Sequence, residues 1–431
     1  MKYFGTDGIR GIPNQKLSVE FVATVGKALS VLNVNNVIVG TDTRESKDMI
    51  AYALISGALA QGLCVEYVEV IPTPGILYLS KIKNTIGVMI TASHNPYFYN
   101  GIKIIKNGKK LTEVEEKQIE AFLNNPTLRL MEIGSLIVSS KLVKEYHKML
   151  FPYAISTHLR IAVDCANGAT YKIAPLLFNL ITGSLFVIND CPNGKNINEG
   201  CGATCLKQLS KIVVEEHCDL GIAFDGDGDR IICVDSKGIP VDGDLLLYVF
   251  ACYLKDKNLL HKNTIALTIM SNLGVVRGLN KRGIQTIETP VGDKYIAEAI
   301  KENNLSLGGE NSGHIIFPRI TTTGDGILLA MKLIQILEET NTLLEDWFSD
   351  LILYPDKLQN VSVKNKTRVM GVPLQNQIEE IKEELHHDCK IIVRPSGTED
   401  CIRVSVMAKT EELVSEYEER LVSFIRQLDV S

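Results

Sequence analysis

Short runs of consecutive apolar residues alternate along this chain with longer stretches whose apolar positions recur every three or four residues. These are the marks of buried strands and amphipathic helices. The spacing of Phe21, Val22, Val25, Leu29 and Leu32 predicts a helix over 17–32, and residues 37–40 read as a strand. A second helix over 47–62 closes at Gly62, and strands follow at 64–70 and 86–90. This alternation predicts a parallel sheet with crossover helices. Thr112, with Glu115 three residues on, forms a capping box that opens a helix to Leu123. Beyond Asn124-Asn125-Pro126 the pattern fades, and a domain boundary is expected near 130–155.

The same alternation resumes at Leu159. A strand over 160–163, a helix to Leu180, a strand over 184–188, a helix over 206–216 and a strand over 220–224 make a second unit. A third follows with helices over 245–254, 275–282 and 327–337 and a strand over 264–268. The tail changes character: 358–363, 373–385, 389–394, 401–407 and 410–427 read β-α-β-β-α. The expected fold class is α/β, with three similar α/β domains on mixed or parallel sheets and a smaller C-terminal α+β domain. The expected bounds are 1–150, 151–243, 244–356 and 357–431.

Composition narrows the function. At 431 residues, 45% hydrophobic and 22% charged, the chain has ample core for several domains. A net charge of −6 argues against a general binder of nucleic-acid backbone, and partners of that kind are not expected. The longest apolar run, 245–254, falls well short of the roughly 20 residues of a membrane span. With no signal-peptide pattern at the start, a cytoplasmic location away from membranes is expected. Of the ten cysteines, Cys64, Cys233 and Cys252 sit in apolar or mixed segments as buried thiols do. Cys201 and Cys205 form one close pair without a second, so a zinc site is not expected.

Polar, glycine-rich loops interrupt this pattern where strands end, the place where α/β proteins bind ligands. The first, TASHNP at 91–96, places Ser93 and His94 on a bend, with Lys103 just beyond in NGIK. A hydroxyl there is a candidate covalent carrier, although turn formers alone make such a stretch. GTDGIRG at 5–11 offers amides and Arg10 to an anion. In DGDGDR, Asp225, Asp227 and Asp229 alternate with glycines, so an extended backbone would turn all three carboxylates to one side. Such a cluster favours Mg²⁺ or Ca²⁺. It is not an EF-hand loop, because Arg230 and Ser236 stand where glycine and glutamate are needed. VGDKY at 291–295 and GGENSGH at 308–314 are further loops, the second carrying Glu310, Ser312 and His314, groups able to read sugar hydroxyls. The tail hairpin RPSGTED supplies Arg394, Ser396, Gly397 and Thr398, with Arg403 on the return strand, donors suited to an oxyanion.

A nucleophilic serine, a carboxylate metal site, a hydroxyl-reading loop and a phosphate cradle together suit a phosphorylated sugar. GTDGIRG, TASHNP with NGIK, DGDGDR, GENSGH and RPSGTE stand in the order found in the α-D-phosphohexomutase superfamily, and the resemblance runs from Lys2 to about Val406. Within it, KYFGTDGIRG, DCANGATY, GCGAT and MSNLG are most similar to the bacterial phosphoglucosamine mutase family. The resemblance implies an isomerase that interconverts glucosamine 6-phosphate and glucosamine 1-phosphate through a 1,6-bisphosphate, supplying amino-sugar precursors for cell-wall synthesis. It implies that Ser93 is a phosphoserine which, with Asp225, Asp227 and Asp229, holds one Mg²⁺ per subunit. Arg10, Lys103 and Arg230 would neutralise the transferring phosphoryl group. Lys103 and His314 would move protons, while His94, Glu310 and Ser312 would contact the substrate. Arg394, Ser396, Gly397, Thr398 and Arg403 would bind the phosphate that is not transferred. The tail domain is expected to move as a lid. Assembly is open, a homodimer being one option.

Three positions depart from the family pattern: Tyr99 for a usual Asp, Asn311 for a frequent Gln and Asp400 for a frequent Pro. Tyr99 and Asn311 keep a phosphomannomutase/phosphoglucomutase specificity open. A non-catalytic sugar-phosphate sensor and a Mg²⁺-dependent phosphatase are the readings from other classes. A sensor is expected to have lost Ser93 or an aspartate, and this chain keeps them.

Overall fold

The computed structural model describes residues 2–5, 7–127, 132–139, 141–396 and 400–430. Four sheets follow one another along them. In the first, Asn36–Thr41, Cys64–Val70 and Ile86–Ile90 pair in parallel, as the crossover helices Lys47–Leu59 and Thr73–Ile82 require. Asn100–Lys106 then returns antiparallel to Ile86–Ile90, and Ile9–Gly11 pairs antiparallel on its far side. The sheet is therefore mixed.

That reversal recurs. In the second sheet Leu220–Phe224 runs parallel to Ile161–Asp164 and antiparallel to Ile231–Val234. In the third, Thr264–Thr268 is parallel to both Gln285–Thr289 and Gly308–Gly309, and Ile315–Ile316 returns antiparallel to the latter. The fourth is an antiparallel sheet of Asp356–Ser362, Cys401–Met407 and Lys390–Pro395. Residues 91–99, 225–230, 310–314 and 396–400 thus each link two antiparallel neighbours. In the first three sheets this link follows the C-terminal end of a strand that is parallel to its other neighbour.

One apolar core runs through the first three sheets and includes Ile76, Leu79, Phe178, Phe224, Phe250 and Ile334. A second fills the other face of the first sheet, and a third, around Val361, Ile402, Val404 and Leu421, belongs to the tail. Helix Val143–Leu150 packs Tyr146 into the first core, where its hydroxyl donates to Asp325. The tail is fastened to the third sheet's unit by Arg277 to Asp388 and by Lys390 to Glu288 at 2.6 Å. The Tyr354 hydroxyl also donates to Asp388 at 2.7 Å.

Several elements differ from the sequence reading. The helix predicted over 17–32 ends at Ala28 and tightens into a 3₁₀ turn, Leu29–Leu32, closed by Asn33 at φ +56°. VGDKY is less a loop than a helix start: Asp293–Asn303 buries only Ile296, Ala299 and Ile300, too sparse a stripe to announce itself. Within the faded stretch, Leu136–Val138 joins the edge of the first sheet beside Cys64–Val70. Cys64 is exposed, because it opens its strand at the sheet's rim, whereas Cys233 and Cys252 are buried. Among the described residues, no helix is long and apolar enough to cross a membrane.

Candidate active site

Thr91, Ala92 and Ser93 leave the Ile86–Ile90 strand with Ser93 at φ +52°, a left-handed conformation that costs a non-glycine residue about 1–2 kcal/mol. The bend is stitched by the Thr91 hydroxyl, which accepts from the Ser93 N–H at 2.9 Å and donates to Asp42 at 2.7 Å. Ser93 is 2% exposed, and its Oγ donates to Asp225 Oδ2 at 2.7 Å. His94 Nδ1 stands 3.4 Å from the same Oγ. Burial, with Arg230 and Arg10 close by, pushes the His94 imidazole down to about 4, so the ring is neutral at physiological pH.

The three aspartates do converge: one oxygen from each of Asp225, Asp227 and Asp229 lies within 4.8 Å of the others. The backbone reaches this arrangement by a turn through Gly228 at φ +72°, not by the extended run that the spacing suggested. Glycine is also required at 226, where an added Cβ would stand 2.6 Å from the Ser93 carbonyl oxygen. The aspartate turn and the serine loop therefore meet backbone to backbone.

Burial, then the neighbouring Asp227 and Asp229 carboxylates, raises the Asp225 carboxyl well above its ordinary range. Lys103 reaches Asp227 Oδ2 at 2.6 Å and Asp229 Oδ2 at 3.3 Å, and the Thr73 hydroxyl donates to Asp227 at 2.5 Å. Burial works against the Lys103 ammonium, but Asp227, Asp229 and Asp7 outweigh it and hold the group protonated. Asp227 Oδ1 and Asp229 Oδ1 are buried with no hydrogen-bond partner among the described residues. Orphaned carboxylate oxygens beside a third carboxylate fit a hard divalent cation, which would relieve both the repulsion and the missing bonds.

Cationic groups surround this centre. Arg10 pairs with Asp7 at 3.4 Å, and Arg230 stands 3.9 Å from Asp229, its backbone N–H donating to Asp225 at 3.2 Å. The Nε atoms of both arginines are buried without a hydrogen-bond partner among the described residues, donors available to an anion. Lys110 spans Asp7 at 3.6 Å and Asp293 at 2.6 Å, joining the first unit to the third. His314 is buried, with Nε2 accepting from the Gly324 N–H at 3.0 Å and Nδ1 3.8 Å from Asp229. Glu310 Oε1 accepts from the Gly292 N–H at 3.0 Å, tying two of the polar loops together, and Ser312 lies half-buried beyond it.

On the tail, Arg394 and Arg403 face each other directly across the Lys390–Pro395 and Cys401–Met407 strands. Burial, then the like charge of Arg403, lowers the Arg394 guanidinium from its ordinary range. Ser396 is buried at the turn; Gly397 and Thr398 lie outside the described residues.

The structure thus gathers Ser93, His94, Lys103, Arg10, Asp225, Asp227, Asp229, Arg230 and His314 around one centre. The tail residues form a cluster of their own. Sequence reasoning passed over Thr73, Lys110, Asp293, Arg44 and Asn198. Thr73 and Asp293 open helices and Lys110 ends a short strand, whereas Arg44 and Asn198 stand in loops.

A buried serine beside an acidic triad, on three repeated α/β units with a cationic tail hairpin, defines a phosphohexomutase. Models of the phosphoglucomutase/phosphomannomutase α/β/α domains I, II and III and of the C-terminal domain match residues 1–129, 142–238, 242–353 and 358–423. A phosphoglucosamine mutase from Limosilactobacillus reuteri is 41% identical, covering 98% of this chain and 97% of its own. One from Bacillus subtilis is 40% identical over 99% of this chain and 98% of its own. The chain belongs to the phosphoglucosamine mutase family. Among solved structures, a phosphoglucomutase/phosphomannomutase family protein from Burkholderia thailandensis superposes with a TM-score of 0.80 at 18% identity, covering 99% of this chain and 97% of that one. An N-acetylphosphoglucosamine mutase from Aspergillus fumigatus, in complex with GlcNAc-6P and magnesium, gives 0.68 at 16%, covering 99% and 96%. At those identities the likeness is one of fold alone.

Proposed function

We propose that this isomerase interconverts glucosamine 6-phosphate and glucosamine 1-phosphate, with Ser93 carrying the phosphoryl group between sugar and enzyme. The observation that carries the reading is the Ser93 Oγ, 2.7 Å from Asp225 at the apex of the buried triad. Phosphoserine gives its group to the free sugar hydroxyl, forming a 1,6-bisphosphate, and takes back the other phosphate after the intermediate turns. Asp225, Asp227, Asp229 and the phosphate on Ser93 would hold one Mg²⁺, which would supply charge neutralisation to the transferring group. Arg10 and Arg230 add guanidinium donors to the same centre, since loose phosphoryl transfer is catalysed mainly by positioning and charge.

Lys103, held protonated by Asp227 and Asp229, presents a positive charge to an oxygen on which charge develops, and a cation on the triad would loosen that hold enough for it to give a proton. His314 is the second candidate for proton transfer: its Nε2 is taken by the Gly324 N–H, while Nδ1 stands 3.8 Å from Asp229. Glu310, Ser312 and His94 contact the sugar. Arg394, Arg403 and Ser396, with Gly397 and Thr398, hold the second phosphate on a tail that closes over it.

The test is turnover of the purified protein with Mg²⁺ and a trace of sugar 1,6-bisphosphate, comparing glucosamine, glucose and mannose 6-phosphates by kcat/KM. Preference for glucosamine is expected. Preference for glucose or mannose moves the specificity to the sister enzymes. Ser93→Ala, or Mg²⁺ removal by a chelator, should abolish turnover with the fold retained. Substantial activity in either refutes the phosphoserine mechanism.

A further inference from the structure

At the backbone of the serine loop, a single guanidinium organises the bend. Arg44 is fully buried, and all five of its side-chain N–H donors are used. Nε donates to Asp42 Oδ2 at 2.9 Å. Nη2 donates to the carbonyls of Ser93 and Asn95, both at 2.8 Å, and Nη1 to those of Pro96 at 2.5 Å and Tyr99 at 3.0 Å. Four carbonyl dipoles within seven residues converge on one cation. Asp42 also accepts from the Thr91 hydroxyl, which accepts the Ser93 N–H, so Arg44 and Asp42 hold Ser93 from both sides of its peptide units. Asn198 adds a second donor to the Ser93 and Asn95 carbonyls at 2.9 and 3.3 Å.

We propose that Arg44 is the positioning residue of the phosphoryl-carrying serine: its planar fork fixes the 93–99 loop so that Ser93 Oγ stays against the triad. The inference rests on the reading of Ser93 as the phosphoryl carrier. Arg44 reaches the reaction only through the loop's carbonyls. A lysine offers three donors from one point and cannot span four carbonyls and a carboxylate. Relaxation of the left-handed Ser93 backbone then swings Oγ away from Asp225. Of the residues proposed to contact the substrate only His94 lies on this loop; Glu310, Ser312 and the tail residues lie on other units, so affinity for the sugar phosphate changes little.

The test is Arg44→Lys, with Thr91→Val as an isosteric second variant that removes the hydroxyl linking Asp42 to the Ser93 N–H. Two readouts are taken from the full chain. In the first, kcat is expressed per active site able to accept phosphoryl from a hexose 1,6-bisphosphate. Arg44→Lys is expected to lower it about 100-fold and Thr91→Val about 10-fold, with KM within threefold of wild type. A merely structural role predicts fewer competent sites, each turning over at the wild-type rate. The second readout is amide hydrogen exchange, expected to quicken at least tenfold in residues 93–99 of Arg44→Lys and not elsewhere in the first sheet. Wild-type kcat per competent site in both variants, or unchanged exchange in the loop, overturns the proposal. An inactive wild type refutes the mutase reading instead, and the exchange result alone then decides whether Arg44 holds the loop.

Discussion

Replacing Gly226 by alanine probes the contact on which the site depends. An alanine Cβ at that position would stand 2.6 Å from the Ser93 carbonyl oxygen, 2.7 Å from Asn198 Nδ2 and 3.0 Å from Ile197 Cδ1. The first neighbour is backbone, itself pinned by Arg44 and Asn198, so it has no rotamer through which to escape. Reaching ordinary contact at 3.4 Å parts the two loops by about 0.8 Å, and misplacement on the order of 1 Å between reacting groups costs about 100-fold in rate. Overpacking of this kind also destabilises by about 1–3 kcal/mol. Gly183, around which nothing lies within 4 Å of an added Cβ, is the matched control for the same substitution. The assay is kcat and KM with the preferred sugar phosphate, alongside an apparent Tm. Gly226→Ala is expected to lose between one and two orders of magnitude in kcat and a few degrees in Tm, with KM nearly constant. Gly183→Ala should match wild type. Turnover of Gly226→Ala within twofold of wild type would show that the serine and the aspartates need no fixed separation.

Two further predictions bear on buried charge. Asp325 caps helix Gly326–Thr340 through the Leu328 N–H, and burial pushes its carboxyl up to about 7, against roughly 3.9 in the unfolded chain. Below about pH 4 the group is neutral in both states. As pH rises to 7 only the unfolded state ionises, so stability falls by about 4 kcal/mol and then levels off. Asp325→Asn, still a competent cap, should remove that loss: its apparent Tm should equal wild type near pH 4 and exceed it at pH 8. Equal Tm values at both pH values would refute the assignment. On the tail, Arg394 is proposed as a charge-assisted donor to the phosphate, and Arg394→Ala removes it together with a like charge that faces Arg403 across two strands. Without ligand it should raise the Tm slightly, while KM for the sugar phosphate rises about tenfold or more. A fall in Tm with unchanged KM would show that the two arginines serve the fold and not the ligand.

Much of this architecture was legible because burial imposes period. Strands at 86–90, 220–224 and 264–268 are fully buried and appear in the sequence as short apolar runs, the last bounded by Thr264 and Thr268, matching the structure residue for residue. The Thr112 and Glu115 capping box was equally plain, since both partners are local. Helix Asp293–Asn303 was missed because it buries one short stripe, and the 3₁₀ end of the first helix because a tightened turn keeps nearly the same spacing. The site shows the same division. Ser93 and the aspartates stand in motifs of unusual composition. Arg44 does not: its partners are carbonyls at 93, 95, 96 and 99, and a backbone carbonyl carries no side-chain signature. Thr73 and Lys110 are hidden for a related reason, each meeting its carboxylate across more than a hundred residues of chain.

The reversals of strand direction explain why the chemistry gathers where it does. A strand parallel to one neighbour and antiparallel to the next must turn back immediately, whereas a crossover to another parallel strand carries the chain away through a helix. Each of the first three units therefore ends one strand in a tight link. Gly226 of the second unit approaches Ser93 of the first, while Gly313 of the third rests against Ile231, where an added Cβ would stand 2.0 Å from its carbonyl oxygen. Links packed backbone to backbone leave little room for side-chain adjustment, so their spacing is set by the sheets behind them. The strain at Ser93 fits that logic. A left-handed serine is held by Asp42, Arg44 and Thr91 on the wall of a buried core, and its hydroxyl is aimed at carboxylates supplied by another unit.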